Sequence, residues 1–170
     1  MLELDVGITL DNVIVVSHDE SLGRVSVSNV KILNTNYADL PAFKTTIDYS
    51  DMEGSYTQTS DDDATLLKLE DLFTNMSGTD VLYSIDLHIF TKAAALLVYN
   101  LIQTNNLQSR VVWGCGDATI HAYLKELDSG ISTYYPESNL IKIYVWQLFG
   151  CLMCVPLSDD ILMAPIMTDE

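Results

Sequence analysis

Three small groups of acids and imidazoles hold the chemistry this sequence could perform. Glu3 and Asp5 stand two apart in Met1-Leu-Glu-Leu-Asp5. Residues two apart on a strand share a face, with Cα atoms about 6–7 Å apart. Both carboxylates can therefore turn toward one hard cation, although a solvent-facing strand side explains paired acids as well. His18-Asp19 follows the apolar run Val13-Ile-Val-Val-Ser17. A histidine just past a buried strand can serve as general acid or base near neutral pH; one satisfied by a loop carbonyl is the plainer account. Asp86 and His88 sit at the end of Val81-Leu-Tyr-Ser-Ile-Asp-Leu87. An acid between Ile85 and Leu87 on a buried strand is unfavourable unless paired or metal-bound. A divalent ion held by carboxylates beside a histidine suits hydrolysis of a phosphate ester. His121 stands apart, on a helix after Asp117, and reads as a surface histidine.

Those groups need elements to position them. Leu2, Leu4 and Val6 alternate with Glu3 and Asp5, which predicts a strand over residues 1–6. Asp11-Asn12 is turn chemistry, and Val13–Ser17 is a second strand, apolar on both faces. From Asp19 to about Ser60 no period is visible; the expectation is a long surface excursion with a short helix or two. Ser60-Asp-Asp-Asp63, ahead of Leu66-Leu67, Leu69 and Leu72-Phe73, reads as a helix N-terminus. It fails as a calcium loop, since the glycine and terminal Glu of an EF-hand are absent.

Residues 81–87 then read as a strand and 91–105 as a helix with Ala94, Leu97, Val98, Leu101 and Ile102 on one stripe. Residues 111–114 read as a strand, 117–127 as a helix capped by Asp117 and closed toward Gly130, and 131–135 as a short strand. Strands alternating with helices predict an α/β class with parallel strands and helical crossovers. Strand ends of one parallel sheet converge on one mouth in a barrel of that class.

Residues 140–157, LIKIYVWQLFGCLMCVPL, are the most apolar stretch. Three readings fit: a buried core helix, an interfacial or re-entrant segment that touches lipid through Tyr144, Trp146 and Phe149, and a short membrane span.

Composition bounds these readings. The chain has 170 residues with Lys+Arg 8 against Asp+Glu 24, a net charge of −16, which suits a single domain with a real core. A hydrophobic share of 48% excludes a disordered chain. A pI near 4.1 argues against nucleic-acid binding and against electrostatic docking on anionic lipid. Cys115, Cys151 and Cys154 make an odd, sparse set that fits a reducing compartment. Cys151-Leu-Met-Cys154 has CxxC spacing but no second pair, so buried thiols are the simpler reading. The opening has no basic or apolar leader of signal-peptide type. A strand starting at the first residue suggests that sequence lies upstream.

Glu3-Leu-Asp5, Thr9-Leu-Asp11 and His18-Asp19 followed by Arg24 together resemble the glycerophosphodiester phosphodiesterase family. Ile85-Asp-Leu-His88 looks like that family's strand with a metal-binding acid, and Trp113-Gly114 also fits. The apolar stretch followed by Met163-Ala-Pro165 is similar to the membrane-associated lysophospholipase D branch.

The resemblance implies a partial TIM (βα)8-type barrel, lacking the first strand region and the last strands, with residues 1–170 as one incomplete domain. It implies Glu3, Asp5 and Asp86 as ligands of Mg²⁺ or Ca²⁺, His18 as a catalytic acid or relay, and His88 and Arg24 near the substrate phosphate. His88 stands where the family usually has Lys, so its pull on phosphate at neutral pH is weaker. A His-Arg and a Glu-Asn motif belong upstream of Glu3 in the family and are not in this sequence.

The implied substrate is a glycerophosphodiester or lysophospholipid, and the implied setting is intracellular, cytoplasmic or on an endoplasmic-reticulum-like membrane. The alternative is a catalytically inactive fragment that binds metal or a partner without turnover.

Overall fold

Buried Leu4 and Val6 alternate with half-buried Asp5 and exposed Glu3 along β1 (Leu2–Ile8), the pattern expected of a strand with one covered face. The computed structural model describes residues 1–48, 55–57, 65–89, 91–151, 153 and 158–161. The chain divides into two units, residues 4–79 and residues 1–3 with 80–170.

In the unit of residues 4–79, β1 turns into β2 (Ile14–Val16), which pairs with it antiparallel through Val6–Val16 and Ile8–Ile14. The strand ahead of His18 thus lies outside the parallel set that strands alternating with helices predict. A short turn joins the two strands, and a parallel pair needs a long crossover. The turn is built by Thr9, whose hydroxyl bonds Asp11 at 2.6 Å, and by Asn12 at φ 64°, a left-handed conformation that Asn tolerates.

The irregular stretch after Asp19 is more than a surface excursion. It holds two short 3-10 turns, Ile32–Asn34 and Tyr37–Asp39, and the antiparallel pair β3 (Thr46–Asp48) and β4 (Ser55–Thr57). Val15, Leu22, Ile32 and Leu66 form its buried core, flanked by Val25, Tyr37 and Phe43. Side-chain bonds to backbone pin the loops, including Tyr37 Oη to the Leu66 carbonyl at 2.7 Å and Ser26 Oγ to the Ala42 carbonyl at 2.6 Å. Apolar residues placed singly by turns leave no period to read.

Helix α1 (Leu69–Asn75) starts later than the acid run suggests. Lys68 bridges Val15 and the Leu67 carbonyl accepts from Val16, so the chain is still extended there. Glu70 and Asp71 occupy the first helical turn; Ser60–Asp63 lie outside the described residues.

In the other unit the strand order is β5-β6-β7, with Leu2 N bonded to the Leu82 carbonyl at 2.7 Å. Strands β5 (Tyr83–Leu87), β6 (Val111–Gly114) and β7 (Ser132–Thr133) run parallel. Helices α2 (Lys92–Thr104) and α3 (Ala118–Leu127) connect them, as the alternation predicts. Thr91 and Asp117 cap these helices, Asp117 accepting from Thr119 N and Ile120 N. Fully buried Trp113 lies against Tyr99 of α2, with ring centroids 6.0 Å apart. Cys115 is buried and Cys151 half-buried, while Cys154 lies outside the described residues.

His121 is not a surface residue: it is buried beside Ile120 and Leu124 on the sheet-facing stripe of α3. Its Nε2 donates to Asp159 Oδ1 at 2.7 Å. Lys125, Thr133 and Ser158 also donate to Asp159, whose side chain is only 1% exposed. The 158–161 segment thereby fastens to the edge of β7, where Ile161 N bonds the Thr133 carbonyl at 3.1 Å. This partner lies 38 residues away in the chain, which is why the α3 pattern alone misplaces His121.

Burial pushes the Asp159 carboxyl up, but the hydrogen bonds from His121, Lys125, Ser158 and Thr133 outweigh it and hold it at about 2. Its contribution to stability is thus present above the ordinary carboxylate value of about 3.9 and is lost as pH falls through about 2. Asp159→Asn should lower the melting temperature near pH 7 by roughly 4–8 °C, for a loss of about 2 kcal/mol. The difference from the parent should shrink between about pH 4 and pH 2. Thermal melts across that range check both points, and a pH-independent difference would refute the assignment.

The apolar stretch 140–157 is not a core helix over the part described. Helix α4 (Glu137–Leu148) leaves Tyr144, Val145 and Trp146 exposed, with Leu148 at 85% and the following Phe149 at 75%. Apolar residues fall on every side of it, so no single stripe exists to bury. Its 12 residues make a helix of about 18 Å, against a hydrocarbon layer of about 30 Å. Among the described residues no helix is long and apolar enough to cross a membrane. Residues 152 and 154–157 and Met163–Pro165 lie outside the described set.

Candidate functional site

Register across three strands places Asp86. It pairs with Gly114, one step beyond the Ile85–Trp113 and Trp113–Thr133 pairs. Neighbours in register share a face and successive residues alternate. Trp113 and Thr133 therefore take the face toward α2 and Asp159, while Asp86, Gly114 and Tyr134 take the opposite one. There the Tyr134 hydroxyl donates to Asp86 Oδ1 at 2.5 Å. The other carboxylate oxygen faces His88, Oδ2 to Nε2 being 3.7 Å. The phenol reaches across β6 because residue 114 is glycine: a Cβ there would lie 2.4 Å from Tyr134 Cζ. Asp86 is thus a half-buried carboxylate with the phenol hydrogen-bonded to one oxygen and the imidazole beside the other.

His18 has a different setting. Ser17 N bonds the Asp5 carbonyl at 2.9 Å, which keeps the chain after β2 against β1. The imidazole is 68% exposed, and its Nδ1 pairs with Asp19 Oδ1 at 3.0 Å. Arg24 Nε in turn donates to Asp19 Oδ2 at 2.8 Å. The hydrogen bond from Asp19 raises the His18 pKa above its usual 6.5; partial burial opposes this, and the charge of Asp5 adds to it. The Arg24 guanidinium, ahead of the opposing effect of burial, holds the Asp19 carboxyl below its usual range. The Asp19 contact at Nδ1 orients the imidazole ring.

The structure therefore brings His18, Asp19 and Arg24 together in one unit and Asp86 and His88 together in the other. Glu3 and Asp5 follow one another two apart on β1, the first exposed and the second half-buried. Two roles escape sequence reasoning: that of Asp19, read only as the neighbour of His18, in orienting the imidazole, and that of Tyr134 as the partner of Asp86. Gly114 was the available signal for the second, a glycine inside a strand marking a close approach.

The sequence model of the glycerophosphoryl diester phosphodiesterase family matches residues 1–144. Human lysophospholipase D GDPD1 is 28% identical over 166 residues, covering 98% of this chain and 52% of that protein. Human lysophospholipase D GDPD3 is 24% identical over 159 residues, covering 94% and 49%. The chain thus spans about half the length of the curated relatives it matches.

Two solved structures are similar. One is a glycerophosphoryl diester phosphodiesterase domain from Mycobacterium tuberculosis, with TM-score 0.69 and 13% identity, covering 88% of this chain and 53% of that one. The other is a phosphodiesterase from Oleispira antarctica in complex with the product sn-glycerol-3-phosphate, with TM-score 0.61 and 14% identity, covering 85% and 59%. These likenesses show the fold, a mixed α/β arrangement that forms part of a TIM-type barrel. Because the sequence match begins in β1 and runs into α4, taking in both groups of candidate residues, the chain belongs to the glycerophosphoryl diester phosphodiesterase family.

Proposed function

We propose that the chain takes part in metal-dependent hydrolysis of a glycerophosphodiester or lysophospholipid, with His18 handling the proton. The observation that carries this reading is an exposed imidazole oriented by a carboxylate that is itself held by a guanidinium. Such an ordered ion-pair chain contributes little to stability at a surface, and it fixes the tautomer needed for proton transfer.

Asp5, Asp86 and His88 are each half-buried and each offer a ligand atom suited to a cation. We assign Glu3, Asp5 and Asp86 as the ligands. Their oxygens are hard donors without a thiol among them, a set that fits Mg²⁺ or Ca²⁺. When bound, the ion would neutralise and orient the substrate phosphate. His18 would deliver a proton to the leaving alcohol oxygen as water forms the new bond to phosphorus and the phosphorus–alcohol bond breaks; the proton that the water gives up passes to solvent, from which the imidazole is reprotonated. Asp19 would stabilise the imidazolium and Arg24 would keep Asp19 in place, and we assign His88 and Arg24 to the substrate phosphate.

The names of the human relatives support release of a headgroup alcohol from a lysophospholipid. The product held by the Oleispira antarctica enzyme supports recognition of a glycerol phosphate. The exposed aromatic residues of α4 suit contact with the lipid surface that would present such a substrate.

The alternative reading is binding of metal or a partner without turnover. Choline release from lysophosphatidylcholine and from glycerophosphocholine separates the two. Release by the full chain in Mg²⁺ or Ca²⁺, lost in chelator, is the expected result. A chain that binds the cation yet releases no choline would establish the second reading.

A further inference from the structure

The geometry points to Tyr134 as a positioning residue that fixes the Asp86 carboxylate for cation binding, with Gly114 as the gap through which it reaches. This rests on the assignment of Asp86 as a metal ligand. Two observations support it. The Tyr134 hydroxyl donates to Asp86 Oδ1 from two strands away. The intervening Gly114 has no room for a methyl group, because a Cβ there would meet three atoms of the phenol ring at 2.4–2.6 Å.

A side chain that crosses a whole strand above a glycine is held by the strand beneath it. Its hydroxyl therefore fixes the carboxylate in one rotamer, with Oδ1 taken by the phenol. Oδ2, on the His88 side, is then the oxygen presented to a cation. A neutral hydroxyl suits this role: it orients the carboxylate without placing a second positive charge beside the ion. Partners of this kind set the orientation and basicity of a ligand and are commonly worth 10–100-fold in metal affinity. Tyr135, the next residue, supplies the control. It is as buried a residue as Tyr134, and its hydroxyl has no hydrogen-bond partner among the described residues.

The experiment is a Mn²⁺ titration of the full chain followed by electron paramagnetic resonance, with melting temperatures measured in chelator. Tyr134→Phe keeps the ring over Gly114 and removes only the hydroxyl. It should weaken Mn²⁺ binding by about tenfold or more, with little change in the cation-free melt. Gly114→Ala, which leaves the hydroxyl present but displaced, should weaken binding similarly, and Tyr135→Phe should leave it unchanged. A parent that binds Mn²⁺ and a Tyr134→Phe variant that binds it within twofold would overturn the role of Tyr134 alone. A parent with no saturable Mn²⁺ binding would overturn the metal assignment and this inference with it.

Discussion

His18→Ala should lower choline release by about 10²–10⁴-fold, the usual contribution of a positioned general acid, with cation affinity retained. The imidazole is mostly exposed, so truncation removes little packing. The loss should therefore appear in kcat, with KM little changed, because the proton is needed only as the phosphorus–alcohol bond breaks. Asp19→Asn should give a smaller loss in the same direction, since an amide cannot stabilise the imidazolium as a carboxylate does. Steady-state kinetics of the two variants beside the parent check the order of effects. Full activity in His18→Ala would remove His18 from the chemistry.

Asp86→Asn carries the second large effect: turnover lost by about 10³-fold or more, recovered only in part at high cation concentration. The carboxylate is half-buried with a phenol on one oxygen and an imidazole beside the other. Asn keeps the shape and can still accept from Tyr134, so folding should survive. It loses the negative charge on which a hard cation depends. Circular dichroism shows whether the fold is kept, and activity against cation concentration shows whether a weakened site is the cause. A variant with parental activity and an unchanged cation requirement would exclude Asp86 as a ligand.

How much of this could be read from residues alone differs from place to place, for physical reasons. Where the apolar period was strong the elements fall where expected: β6 over Val111–Gly114, α3 behind its Asp117 cap, and α2 behind Thr91. Caps and periods are local, so local sequence suffices. The segment from Asp19 to Asp48 defeated that reading because its core residues arrive one at a time through turns. His121 defeated it because its partner, Asp159, is distant in sequence. The mixture at α4 was legible as apolar but not as exposed, because exposure depends on what packs against a helix and not on its composition.

The candidate site shows the same division. Asp86 announced itself as an acid out of place on a buried strand, and His18-Asp19 as a pair at a strand end. The roles of their neighbours appear only in three dimensions: Arg24 holding Asp19, and Tyr134 crossing Gly114 to meet Asp86.

The most direct test is a count of Mn²⁺ ions bound to the full chain and to Glu3→Gln, Asp5→Asn and Asp86→Asn, by equilibrium titration. One saturable ion per parent chain is expected, with its affinity reduced about tenfold or more by each of the three substitutions and not by His18→Ala. A parent chain that binds no ion, or three variants that bind as the parent does, would contradict a cation shared by these carboxylates.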